Sequence, residues 1–183
     1  MYEFVVRYKK NTIKTLTRVQ ANLYCYKQMA ALLALGLSLA GTGLAFAQKS
    51  SGYVVLLALG CWLCISIHYP AQYLARQIGR AMGDGEKEFC YRFLENGVEI
   101  ICGQDRNHIS YDKIQRIVDA GDSLCFFLGP NAGFLISKSE LENQASYTAF
   151  ADYLKQHIGV PIERDVPLFL RLLRFRFQKI QKG

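Results

Sequence analysis

The sequence predicts a membrane α+β protein: a two-helix transmembrane hairpin, then a small antiparallel β domain capped by a C-terminal helix. Three observations predict it. No charged residue lies between Lys27 and Lys49, and none between Lys49 and Arg76. Each run is close to the ~20 residues an α-helix needs to cross ~30 Å of hydrocarbon. Beyond residue 86 the pattern changes to short apolar runs punctuated by Gly, Asn, Asp and Pro, the signature of strands and tight turns.

Five segments follow from this reading. Residues 1–27 form a cytoplasmic strand and amphipathic helix, 28–70 the transmembrane hairpin, and 71–85 a juxtamembrane helix and linker. Residues 86–160 form the β domain with its capping helix, and 161–183 a basic amphipathic tail.

Tyr2–Tyr8 is rich in aromatic and β-branched residues and predicts a strand that needs a sheet partner. Asn11 is a candidate N-cap. Ile13, Leu16, Val19 (or Gln20) and Leu23 recur at helical spacing, with Lys14 and Arg18 turned away. Tyr24 and Tyr26 fit either a membrane interface or ordinary packing. The first span, Gln28–Ala47, carries Gly36, Gly41 and Gly43, small residues that let a neighbouring helix approach closely. A polar turn at 48–52 joins it to the second span, Tyr53–Tyr69. Pro70 kinks the way into a helix over Ala71–Met82, which Gly83-Asp84-Gly85 ends.

Strands are expected at Glu88–Leu94, Val98–Cys102, His108–Tyr111, Leu124–Leu128 and Phe134–Ser137. Asn96-Gly97 reads as a hairpin turn with positive φ. Ile114 and Ile117 continue the buried set across a bend at Asp112-Lys113, and the wholly apolar Leu124–Leu128 is expected to be central. Ser139 with Glu142 fits a capping box, and 144–146 interrupts or restarts that helix. Tyr147, Phe150, Leu154 and Ile158 form a helical stripe that ends at Gly159.

The composition fits this layout. The chain has 183 residues, 51% hydrophobic, a mean hydropathy of +0.06 and a formal charge of +7. Residues 1–28 carry six bases and one acid, 160–183 six bases and two acids, and 89–159 six bases and nine acids. The turn between the spans has only Lys49, so the positive-inside rule puts both termini in the cytoplasm. A bilayer hairpin explains the basic flanks, so they do not argue for nucleic acid. Ala45-Phe46-Ala47 has the form of a signal-peptidase site, but the leader would be unusually long and a second apolar span starts at once.

Catalytic signatures do not assemble. His68, His108 and His157 lack metal-ligand spacing, so no metal and no cofactor are expected. Asp105 with His108, and Asp112 nearby, is the one acid–base candidate, and a loop carboxylate beside a strand-edge imidazole is far more often surface decoration. Six cysteines facing lipid or a reducing cytosol are expected as free thiols. Cys61-Trp62-Leu63-Cys64 matches C-x-x-C by letter only, and Cys90 and Cys102 fall on adjacent strands where thiols pack as small hydrophobes.

The stretch Phe93-Leu94-Glu95-Asn96-Gly97-Val98, then Ile109-Ser110-Tyr111-Asp112-Lys113-Ile114 with Ile117-Val118, Leu124–Leu128 and Gly133–Lys138 resembles the YcxB-like family of bacterial membrane proteins. The resemblance runs from Met1 to about Ile158. It implies a pleckstrin-homology-like fold for the β domain. Tyr111 stands where the family commonly has Trp, and still offers a large aromatic for the core. No active residue carries over.

A non-enzymatic inner-membrane protein is therefore expected, in which the hairpin presents a pleckstrin-homology-like module to a protein partner or to copies of itself. The alternative is anionic-lipid recognition through Arg171, Arg174, Arg176, Lys179 and Lys182, which alternate with Leu168, Phe169, Leu172, Leu173, Phe175 and Phe177. Three placements of this tail stay open: on lipid, packed on protein, or frayed.

Overall fold

The computed structural model describes residues 1–82, 87–142 and 146–166. They fall into two compact units, one of Met1–Gln20 with Leu74–Asp165, the other including Ala21–Tyr73.

In the first unit, β1 (Tyr2–Tyr8) leads into α1 (Lys10–Tyr24). Asn11, expected as the cap, is the second residue of α1. Leu16, Val19 and Leu23 are buried, as the spacing predicts, together with Thr17 and Gln20. Thr17 returns its hydroxyl to the Ile13 carbonyl (2.9 Å), and Gln20 donates from Nε2 to the Pro130 carbonyl. The C-terminal part of α4 (Tyr69–Met82) belongs to the same unit.

Two four-stranded sheets follow. The first has the order β1, β2 (Lys87–Phe93), β3 (Gly97–Cys102), β4 (Asp105–Ser110), all antiparallel. β1 thus finds its partner in the strand that follows the hairpin, paired in register from Tyr2↔Phe93 to Tyr8↔Lys87. The second sheet has β7 (Ala132–Ser137) and β6 (Ser123–Gly129) antiparallel, then β5 (Arg116–Asp119), with β8 (Ile162–Arg164) parallel to β5. Two of its strands were not expected. Tyr111–Lys113 closes a 3-10 turn, and the chain beyond it pairs as β5. Ile117 and Val118 are both fully buried, so β5 lacks the alternation that marks a strand. β8 is three residues long and follows Pro161, with nothing in its composition to signal pairing.

The expected turn at Asn96-Gly97 is displaced by one residue. The Leu94 amide donates to the Gly97 carbonyl at 2.9 Å, which centres the turn on Glu95-Asn96, and neither Asn96 nor Gly97 has positive φ. Gly97 is needed for space instead: a Cβ there would collide with the Ile109 carbonyl and sit 2.8 Å from the His108 ring on β4.

α5 (Lys138–Glu142) and α6 (Tyr147–His157) complete the unit. Ser139 is the second residue of α5, where its hydroxyl meets that of Ser137 (2.7 Å); the Glu142 side chain of the expected capping box lies outside the described residues. The cap is Ser146, which accepts from the Ala149 amide at 3.2 Å and starts α6. Gly159, with φ near +70°, ends it.

The core is aromatic. Phe93 contacts Phe4, Phe126 and Phe150 at ring-centroid distances of 5.9, 5.7 and 5.2 Å, and Phe134 stacks on Phe126 at 4.8 Å and on Tyr91 at 4.9 Å. Phe150 and Leu154 bring α6 onto this cluster, and both are fully buried. Tyr111 fills a core position, as its size requires. Its hydroxyl and that of Tyr153 both donate to the Leu94 carbonyl (2.6 and 2.8 Å), tying the 93–97 turn to α6.

In the second unit, α2 (Tyr26–Phe46) and α3 (Ser51–Ile65) pack as an antiparallel hairpin. Ser50 caps α3 by accepting from the Gly52 amide at 3.3 Å. After a 3-10 turn at Ser66–His68 the chain continues as α4. Pro70 accounts for that turn: it has no N–H for the Ser66 carbonyl, which takes the Tyr69 amide instead. Tyr26–Phe46 and Ser51–Arg80 are long and apolar enough to cross a membrane. Little of their surface is covered; Leu44, Val55 and Ile65 are 71%, 67% and 74% exposed.

Glycines set the spacing of the hairpin. A Cβ on Gly43 would lie 2.7 Å from the Tyr53 carbonyl, and one on Gly60 would lie 2.6 Å from the Gly36 carbonyl. Gly36 would meet Cys64 Sγ at 2.8 Å, whereas Gly41 faces nothing within 4 Å. Gly36 and Gly43 therefore act as the spacing suggested, Gly41 does not, and Gly60 supplies the matching hollow. Leucine at position 43 or 60 is predicted to destabilise the hairpin by about 1–3 kcal/mol or more, while Gly41→Leu is tolerated. Thermal unfolding of the full chain in detergent distinguishes the three; equal loss for all of them would contradict this packing.

Candidate interaction surface

Strand alternation gives the first sheet two faces of different chemistry. Phe4, Val6 and Tyr8 of β1, with Tyr91 and Phe93 of β2, turn into the core. Glu3, Val5 and Arg7 turn outward, in register with Arg92, Cys90 and Glu88. The row continues across the sheet as Glu3, Arg92, Glu99 and His108, and beside it run Val5, Cys90, Ile101 and Arg106.

Arg92 grips Glu3 with two bonds, Nε to Oε2 at 3.0 Å and Nη2 to Oε1 at 3.2 Å, and stands 3.9 Å from Glu99. Cys90 donates its thiol to Glu3 Oε1 at 3.1 Å. Hydrogen bonds from Arg92 and then Cys90 hold the Glu3 carboxyl below its ordinary range. Burial, then the bond to Glu3, pushes the Cys90 thiol up to about 11, so it stays protonated and a poor nucleophile at neutral pH. Arg7 and Glu88 pair at 2.9 Å but are 68% and 53% exposed, a pair that orders the face and adds little stability. The result is a mixed-charge face with a short apolar strip. β4 bounds it and pairs, among the described residues, only with β3.

The same alternation separates the groups considered for chemistry. Asp105 and His108 are three residues apart in β4 and therefore project from opposite faces. Asp112 lies in the 3-10 turn, its pKa lowered first by the Ser110 hydroxyl. Cys90 pairs in register with Ile101, which puts Cys90 outside and Cys102 inside. His157 stacks on Tyr153 with ring centroids 4.0 Å apart. All six cysteines are free, and no three His, Cys, Asp or Glu side chains gather among the described residues. Arg171, Arg174, Arg176, Lys179 and Lys182 lie outside the described residues.

A second polar cluster, around Asp119, has no counterpart among the sequence expectations. Asp119, at the end of β5, accepts from Lys138 Nζ (2.8 Å to Oδ1), from the Gly121 amide (2.9 Å) and from the Tyr147 hydroxyl (3.0 Å). Lys138 also lies over the Tyr147 ring, 4.6 Å from its centroid. Every partner is supplied by the fold, so the cluster is a joint holding β5, α5 and α6 together. Burial pushes the Asp119 carboxyl up, but Lys138, Gly121 and Tyr147 outweigh it and hold it below the ordinary aspartate value.

A carboxyl depressed by folding stabilises the fold above its unfolded pKa, and that contribution is lost as pH falls through the folded value. Stability is therefore predicted to drop below about pH 4. Asp119→Asn should lose about 1–3 kcal/mol at neutral pH and flatten the acid limb. Melting temperatures of both proteins measured across the acid range check this, and parallel acid limbs would contradict it.

No curated protein and no solved structure matches the chain. Residues 93–154, from the end of β2 into α6, match the family model described as YcxB-like protein, the family this stretch resembles.

Proposed function

We propose that the chain is a non-enzymatic, multi-pass protein of the inner (cytoplasmic) membrane, with both termini in the cytoplasm. In this reading the hairpin presents a pleckstrin-homology-like module for protein interaction or self-association. One observation carries it: β1, before the hairpin, pairs along its whole length with β2, after it. Strands of one sheet share one compartment, so two spans between them would return the chain to the side it left. The basic residues before the first span, against the single Lys49 between the spans, favour the cytoplasmic side. Four antiparallel strands, then three more, then a covering helix support the pleckstrin-homology-like reading.

Anchoring raises the effective concentration of such a module toward partners in the same membrane. The open edge of β4 suits strand addition, and the mixed-charge face beside it would set which partner fits. A photo-activatable side chain at Asn107 on β4 should give one discrete cross-linked species in cells. The same probe at the exposed Lys155 should not. No discrete product from Asn107, or equal products from both sites, would sink the interaction reading.

The tail supports a second reading, anionic-lipid recognition, because five cations alternate there with apolar side chains. A fragment beginning at residue 84 would lack β1, so the test needs the full chain. Reconstituted in neutral nanodiscs, the protein should bind vesicles containing anionic lipid. That binding should weaken with salt and vanish when Arg171, Arg174, Arg176, Lys179 and Lys182 are all changed to Gln. Equal binding to neutral vesicles would remove the electrostatic basis.

A further inference from the structure

An apolar groove of about 340 Å³ opens where the inner faces of the two sheets meet α1 and α4. Leu16, Ile78, Phe89 and Phe134 supply apolar wall, and Tyr8 and Tyr91 line it as well. Its volume is at the lower end of the ~300–1,000 Å³ typical of small-molecule sites.

The tyrosine pair sets the chemistry. Tyr8 Oη and Tyr91 Oη are 2.9 Å apart, and the Leu135 amide donates to Tyr8 Oη at 3.1 Å. The residues are 7% and 2% exposed. Burial raises both phenols above the ordinary tyrosine value, so each keeps its proton at neutral pH. The pair holds two hydroxyl protons but only one bond between the oxygens, and Leu135 brings its own. Whichever tyrosine donates to the other, one hydroxyl proton is left without an acceptor among the described residues. A buried donor in this state costs free energy until an acceptor reaches it.

We propose that this groove binds a neutral, largely apolar molecule through a carbonyl oxygen that accepts the spare proton of the Tyr8–Tyr91 pair. Among the described residues no Lys, Arg, His, Asp or Glu lines the groove, so a carboxylate would be buried there without a counter-charge. The carboxamides of Gln20 and Asn131 are the other polar side chains of the lining, and Gln20 is engaged with the Pro130 carbonyl. This site goes beyond the interaction reading and stands or falls independently of it.

The test uses the full chain in nanodiscs and a photoreactive, diazirine-bearing analogue of decan-2-one. Adducts should saturate and map to peptides carrying Phe89 and Phe134. Decan-2-one should compete about two- to tenfold better than decane at equal membrane content, the value of one net hydrogen bond. Decanoate should compete worse than decan-2-one. The double change Tyr8→Phe with Tyr91→Phe should level decan-2-one with decane. Should that variant not fold, the wild-type competition series decides alone. Labelling that does not saturate, equal competition by decane and decan-2-one, or best competition by decanoate would each overturn the proposal.

Discussion

The pairing of β1 with β2 is the constraint on which the rest of the structure depends. The two strands are separated in sequence by the whole helical hairpin, yet they match over all seven residues of β1. Closing so long a connection costs chain entropy, though the cost grows only slowly with length. An antiparallel helix pair also eases closure, because it begins and ends at the same end. The close fit of α2 on α3 through Gly36, Gly43 and Gly60 therefore matters to the sheet as well as to the helices. Without β1, Phe4 would leave the ring cluster it forms with Phe93 and Phe150, and Tyr8 would no longer accept from Leu135.

Polar groups inside the first unit act mainly as joints between elements. Tyr111 and Tyr153 hold the Leu94 carbonyl, Asp119 gathers Lys138, Gly121 and Tyr147, and Gln20 ties α1 to the chain before β7. Each satisfies backbone or side-chain groups that burial would otherwise leave costly. The Tyr8–Tyr91 pair departs from this rule by one proton, and it does so on the wall of a groove. The outer face of the first sheet has a different logic: its charges compensate one another across strands, which leaves a face both soluble and patterned.

Much of this architecture was legible in the sequence because it rests on simple periodicities. Two charge-free runs mark the long helices, alternation marks β1 and β2, and the uniformly apolar Leu124–Leu128 falls in β6, which is interior to its sheet. What stayed hidden depends on tertiary context. β5 is four residues long with adjacent buried side chains, and β8 gains its identity only from the parallel strand beside it. Gly97 carries a turn signal, but it serves a close strand approach one residue outside the turn. Asp119 and the Tyr8–Tyr91 pair join residues tens of positions apart, and no local pattern announces such meetings. The tail from Arg171 to Lys182 lies outside the described residues, so its chemistry is known from sequence alone.

The strand register offers the most direct test. Val5 stands opposite the native Cys90, while Val6 projects from the other face. With both flanks of the hairpin present, Val5→Cys should form a disulfide with Cys90 under mild oxidation, because register partners fall within the Cα separation a disulfide accepts. Mass spectrometry should then find the peptide carrying residue 5 joined to the peptide carrying Cys90, and Val6→Cys should give no such product. Absence of the Val5→Cys product, or an equal yield from Val6→Cys, would contradict a sheet that joins the two flanks of the hairpin.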